Sequence, residues 1–226
     1  MLHPGDIQAL VLTLRLAAVS TLVLLILGTP LAWWLATTRR RWRPVVDAVV
    51  ALPLVLPPTV LGFYLLLLLG PSGPVGKAMN ALGSAPLVFT FTGLVIGSVI
   101  YSLPFVVQPI RDAFMSVGPE PLEAAATLGA GPWDRFRTVA VPLARRGFLT
   151  AASLGFAHTL GEFGVVLMLG GNIPGQTRVV SIAIFDHVEA MDYGRAHALA
   201  ATLLIISFIL LLTVQFLNRR SRGVVR

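Results

Sequence analysis

The 226-residue chain contains no cysteine, and only 12% of its residues are charged. The first absence removes any disulfide framework and any thiolate metal site, so cysteine usage carries no information on redox compartment. The second excludes an ordinary soluble domain, in which about a quarter of the residues carry charge. Acids are the scarcer sign: 10 Asp and Glu stand against 17 Lys and Arg, for a net charge of +7. Such a balance can mark a nucleic-acid binder, but here the basic residues lie between apolar runs and not on one cationic face, which excludes nucleic acid as a partner. A Walker-type G-x-x-x-x-G-K-[ST] is missing too. Its nearest approach, Gly73 to Lys77, has the wrong spacing and no hydroxyl after the lysine. No His-Glu-x-x-His or Gly-x-Ser-x-Gly occurs, and His3, His158, His187 and His197 are too dispersed for a metal cluster. The chain is therefore expected to be non-catalytic, with no cofactor or metal of its own. Met1 to Asp6 lacks the basic start of a secretory signal peptide, so the first apolar run is expected to be retained.

What the chain has is apolar length. Hydrophobic residues make up 56% of it and mean hydropathy is +0.83. A spanning helix needs about 20 mostly apolar residues. Leu16 to Thr38, Ala48 to Gly70, Leu87 to Ile110 and Ala198 to Leu217 are uncharged, and Gly147 to Leu169 is interrupted only by Glu162. These windows predict an all-α integral membrane protein of one domain, 1–226, with five transmembrane helices at about 10–38, 46–70, 87–112, 147–169 and 196–218.

The cations orient it. Arg39, Arg40, Arg41 and Arg43 follow helix one; Arg111, Arg135, Arg137, Arg145 and Arg146 lie between helices three and four; Arg219, Arg220, Arg222 and Arg226 follow helix five. The other side holds only Lys77, Arg178 and Arg195, with Arg15 at the outer end of helix one. The excess places the N-terminus outside and the C-terminus in the cytoplasm. The Gly- and Pro-rich loops from Pro71 to Pro86 and from Gly170 to Gly194 then face outward.

The segment 116–146 faces the cytoplasm and reads as a helix-turn-helix. Pro119 and Pro121 suit a helix start, Leu122 to Leu128 are good helix formers, and Gly129 suits a left-handed stop. Pro132 opens a second helix, Asp134 favours its N-terminus, and Pro142 is expected to limit it. An amphipathic linker resting on lipid headgroups is the alternative that local physics leaves open.

Within the spans, Pro53, Pro57 and Pro58 in helix two, and Pro104 and Pro109 in helix three, predict that both helices bend or break. Such breaks line a path or serve as packing kinks. Gly93 and Gly97 form a Gly-x-x-x-Gly pair suited to close packing within the chain. His158 and Glu162 are four apart, hence on one predicted helix face with Gly155. A charge at the bilayer centre costs at least ~2.5 kcal/mol, which makes Glu162 a functional candidate. Glu162 lies roughly 22 Å along a core of about 30 Å, where water or a polar cavity is expected to reach it. A carboxylate repels an anion, so a gating or bracing role is favoured, with His158 or Arg15 as partner. Arg178 and Arg195 are read as solvated loop charges, with anion contact as the alternative. An intramembrane enzyme using Glu162 and His158 as acid and base is the competing class.

Glu123, Ala124 and Ala125, then Gly129, then Val139, Ala140, Val141 and Pro142 match in spacing the E-A-A, three, G, nine, I-x-L-P signature of ABC-importer permeases. Val139 and Val141 stand where that pattern has Ile and Leu. Leu52 to Gly70, Ala125 to Phe136 and Leu160 to Arg178, with its Gly161-Glu162-Phe163-Gly164, resemble the molybdate permeases of the molybdate and sulfate importer group. The resemblance implies that 123–142 couples to a cytoplasmic ATPase, and that Pro57, Pro58, His158 and Gly161 to Gly164 are pathway or gate candidates. It further implies a homodimer in the lipid bilayer of a bacterial or archaeal cell, two ATP-binding cassette subunits that bind ATP and Mg, and an extracytoplasmic molybdate-binding protein. Sulfate and tungstate are the alternative cargoes.

Overall fold

The computed structural model describes residues 3–220, so Arg222 and Arg226 of the C-terminal basic cluster lie outside it. Helices account for all the regular structure among the described residues. The first, α1 (Pro4–Thr37), opens on a capping box: the His3 side chain accepts from the Gly5 amide, and the Asp6 carboxylate accepts from the His3 amide at 3.0 Å. It continues through Pro30.

The predicted helix two is two helices, α2 (Arg43–Val55) and α3 (Pro58–Leu69). Each of Leu56 and Pro57 precedes a proline and is pushed into an extended conformation, at ψ 133° and 136°. The tandem pair breaks the chain where Pro53 alone, inside α2, does not. After α4 (Pro74–Ala81) comes α5 (Phe91–Val117), which contains Pro104 and Pro109 yet is one continuous helix. The expected break in helix three is thus corrected: α5 is held along its length by α1 and by α9 (Arg145–Leu160), and that packing outweighs two isolated lost donors.

Between α5 and α9 lie α6 (Glu120–Thr127), α7 (Pro132–Asp134), a π-helical segment Arg135–Ala140 and α8 (Val141–Leu143). Pro142 stands one residue before the end of this winding, which stops at Leu143 with Ala144 at ψ 2°, so the helix is limited there as expected. The wider π turn immediately before Pro142 lets the winding pass a residue without an N–H. After α9 the chain turns by 62° into α10 (Gly164–Gly170), followed by α11 (Val180–Glu189) and α12 (Tyr193–Arg220). The helices α4 and α11 fall in stretches expected to be loops. Four apolar helical stretches are long enough to cross a membrane, Pro4–Thr37, Pro58–Ala81, Phe91–Val117 and Tyr193–Thr213, and the bent pair α9 and α10 makes up to five.

The centre of the bundle is the trio α1, α5 and α9. Arg15 sits over the Phe91 ring and Gly28 beside Val107, so α1 and α5 run parallel. Gly147 lies against Ala113, Gly155 against Val106, and His158 against Ser102, so α9 runs the other way. Buried Gly147, Ala151 and Gly155, four apart, give α9 a face without bulk. A methyl at Gly155 would meet the Val106 side chain at 2.6 Å, which shows how closely the backbones approach. Gly97 likewise packs within the chain, against Leu169 and Val165 of α10. Around this trio, α10 packs on α3, and α11 packs on α1 and α12. Thr13 bridges α1 to α11 by accepting from the buried Val180 amide at 2.8 Å while donating to the Ala9 carbonyl at 2.7 Å.

Candidate functional site

The loop 116–146 forms one continuous structure. At the end of α6 the Gly129 amide donates to Ala126 O and the Ala130 amide to Ala125 O, both at 3.0 Å, with Gly129 at φ +87°. This is a Schellman stop, and it needs the left-handed conformation that glycine adopts freely. Gly131 is extended, and its carbonyl accepts from the Arg135 amide at 3.0 Å as the chain rewinds. The α6 helix packs back on the π segment. Leu122, Phe136 and Val141 lean on a core that includes Ile110, Phe114 and Ala140, so the loop is anchored to the C-terminal ends of α1 and α5.

The candidate coupling residues therefore divide. Glu123, Ala124, Gly129 and Pro142 are exposed, whereas Ala125, Val139 and Val141 are half-buried and support the segment from within. Sequence reasoning missed two residues on the exposed side. Leu128 is 89% exposed and Trp133 68% exposed, flanking the Gly129 turn. Large apolar side chains held out of a cation-rich loop are the kind of group a protein partner buries. Their signal was available: both interrupt an otherwise small or polar run.

The second candidate set lies where α9 gives way to α10. Gly161 is exposed and donates its amide to His158 O at 3.2 Å, closing α9. Phe163 sits with its ring 5.3 Å from that of Phe185. Gly164 is buried against Pro58 at the start of α3, while Pro57 is exposed. The structure thus brings Pro58 and Gly164 together, and it separates His158 from Glu162. Because α9 ends at Leu160, these two do not share a helix face. His158 Nδ1 pairs with Ser102 Oγ at 2.9 Å, and its ring stacks on Phe105 with centroids 3.9 Å apart. Ser102 also pairs with Thr159, at 3.2 Å.

Glu162 is 4% exposed, which corrects the expectation that water reaches it. Its backbone carbonyl accepts from Ser181 Oγ at 2.6 Å, and its carboxylate faces the buried Ser98 hydroxyl without a hydrogen bond of ordinary length and angle. The expected pairings with His158 or Arg15 are not formed. Arg15 is instead exposed and lies 4.5 Å from the Phe91 ring centroid. An acid and base at Glu162 and His158 are accordingly not assembled. Of the two arginines weighed as anion contacts, Arg178 is bonded to Asp186, and Arg195 lies 3.2 Å from Asp192, so each has a close carboxylate partner.

The architecture is an all-helical bundle of apolar spans with two interrupted helices in contact and an ordered helical loop between two of its spans. The chain belongs to the family described as binding-protein-dependent transport system inner membrane component, which matches residues 28–223. It is 60% identical to the molybdenum transport system permease protein ModB of Azotobacter vinelandii over 98% of both chains. It is 35% identical to ModB of Escherichia coli K12, over 95% of this chain and 94% of that one. The sulfate transport system permease protein CysT of Escherichia coli K12 is 34% identical, over 96% of this chain and 78% of that one. The fold is shared with a bacterial ABC transporter that imports alginate, with a TM-score of 0.76 at 20% identity over 99% of this chain and 81% of that one. It is shared also with the MetNI methionine ABC transporter, at 0.73 and 17% identity over 95% and 94%.

Proposed function

We propose that this chain is the permease subunit of an ATP-driven importer that carries molybdate across the inner membrane of a bacterial cell. One observation carries the choice of cargo: the 60% identity to a molybdenum permease extends over 98% of both chains. The chain acts as one permease domain, crossing the membrane five times with the bent pair α9 and α10 as one span. Its N-terminus is outside and its C-terminus in the cytoplasm, as the arginine distribution supports. Two copies enclose the path. An extracytoplasmic binding protein delivers the anion, and two cassette subunits, which bind ATP and Mg, dock on the exposed side of 120–142. Glu123, Ala124, Gly129 and Pro142 lie at that contact with Leu128 as its apolar anchor, while Val139 and Val141 hold the loop to the bundle. Pro57, Pro58 and Gly161 to Gly164 form the gate, a joint that allows α3 and α10 to move against α5.

The test is uptake of radiolabelled molybdate into proteoliposomes holding the chain, its ATPase and its binding protein. ATP-dependent uptake blocked by tungstate and not by sulfate supports the proposal. Strong competition by sulfate moves the cargo to sulfate, the reading favoured by the likeness to CysT. No ATP-dependent uptake of any oxyanion overturns both.

A further inference from the structure

Two cavities adjoin at the end of α1 that carries the basic cluster. The first, about 380 Å³, is lined by Thr37, Thr38, Arg39 and Arg43 above an apolar floor that includes Phe114 and Leu122. The second, about 720 Å³, runs along α1 past Leu25, Ile26 and Pro30 and is closed by Trp133 and Phe136. Trp33 belongs to both and stands edge-on between Phe114 and Phe136, at 5.0 and 5.2 Å between ring centroids. No Asp or Glu lines either cavity.

The polarity along this trench is graded. Arg39 is exposed, and its side chain makes no hydrogen bond or ion pair among the described residues. Arg43 makes a long ion pair with Asp47 Oδ2 at 3.9 Å and a long contact to Met115 Sδ at 3.7 Å, while Arg111 holds the other Asp47 oxygen at 2.6 Å; these loose contacts use Nε and Nη2 and leave Nη1 to meet an anion in the cavity. Below Trp33 the trench is apolar: its one hydroxyl, on Thr29, is turned back onto the Leu25 carbonyl. From Leu25 to Trp33 the trench extends roughly 12 Å at 1.5 Å per residue, a length that a fatty acyl chain fills. A free inorganic anion would use only the upper half, and a neutral lipid only the lower.

We infer that the two cavities form one binding site for an anionic phospholipid, its phosphate at Arg39 and Arg43 and an acyl chain along α1 beneath Trp33. Arginines at the headgroup level beside an apolar trench match both ends of that molecule. The site touches α6 through Leu122 and the second half of the loop through Trp133 and Phe136, so bound lipid braces α1 against both parts of the coupling segment. The site depends on the chain lying in a membrane and not on its cargo. Only the choice of the cytoplasmic leaflet rests on the orientation proposed above.

Native mass spectrometry of the full chain with its ATPase partner, titrated with phosphatidylglycerol, phosphatidylcholine or inorganic phosphate, tests this independently of transport. One phosphatidylglycerol per copy should persist where phosphatidylcholine and phosphate are lost. The double variant R39Q/R43Q should weaken it roughly tenfold or more, two surface charges being removed. Ile26→Trp, which fills the apolar half from an exposed position, should weaken it with the arginines intact and serves as the test if R39Q/R43Q fails to assemble. The control R40Q/R41Q, off the lining, should retain it. Equal retention of both lipids, retention of phosphate alone, or equal loss in the control overturns the site. So does lipid binding that appears only after the ATPase is stripped off, which would make the trench a seat for that partner.

Discussion

Pro58 and Gly164 touch across the two interruptions of the bundle: a methyl at Gly164 would lie 2.8 Å from the Pro58 Cβ and 3.1 Å from the Thr59 amide nitrogen. The break that starts α3 and the break that starts α10 therefore meet at one point, and α3 and α10 pack together beyond it. Gly62 continues the contact, its missing side chain facing Met168 Cβ at 2.9 Å.

Gly164→Ala is expected to destabilise the assembled importer by about 1–3 kcal/mol, the usual effect of overpacking, because backbone and a proline ring cannot give way. Gly161→Ala is the matched control, since its nearest neighbour is His158 O at 4.0 Å. Thermal melting of both variants should separate them. Equal melting temperatures would remove Pro58 and Gly164 as a structural joint.

At Gly129 the surroundings are open and only the backbone is demanding: φ is +87° and nothing lies within 4 Å of a methyl there. Gly129→Asn, which tolerates the left-handed region, should copurify with the ATPase nearly as the wild type does, and Gly129→Ala should lose on the order of 1 kcal/mol of local stability. Gly129→Asp places a charge on the docking side and should lose the ATPase. Copurification of the Asp variant at the wild-type level would contradict this placement of the contact.

Glu162→Gln keeps the shape of a buried side chain that faces the Ser98 hydroxyl without a hydrogen bond of ordinary geometry. Assembly should be unchanged, and ATP-driven uptake or basal ATPase activity should change at least severalfold, because a carboxyl group maintained within a span is a functional group by default. If both activities match the wild type, Glu162 is a packing residue.

His158 contributes one hydrogen bond to Ser102 and a stacked ring on Phe105. His158→Phe should cost about 1 kcal/mol, the hydrogen bond alone, and His158→Ala about 3 kcal/mol, bond and ring contact together. Denaturant unfolding of the purified complex reads the difference. Two equal losses would show that the ring contact contributes nothing.

The parts legible in the sequence were those set by local chemistry. Tandem Pro57 and Pro58 announce a break because each restricts the residue before it, and Gly129 announces a stop because its neighbours are good helix formers. The parts that were not legible depend on packing between helices. Pro104 and Pro109 fail to break α5 because α1 and α9 hold it. The turn after Leu160 has no proline and is flanked only by Gly161 and Gly164, so periodicity runs straight through it. That unseen turn also explains why the spacing of His158 and Glu162 suggested a pair: four residues define a shared face only while the helix continues. Short α4 and α11 lie among Gly, Pro and Asn and lack the length that periodicity needs.

The turn between α9 and α10 has a mechanical meaning. A straight rod passes a push along its own axis, but this one changes direction by 62° at Gly161 to Phe163. A displacement entering α9 at Arg145, beside the loop, arrives at α10 more as a sideways swing than as a thrust. Because α10 is seated on α3, such a swing would press on a neighbouring helix, so under the proposed function the bend would act as an elbow between the loop and the joint at Pro58 and Gly164.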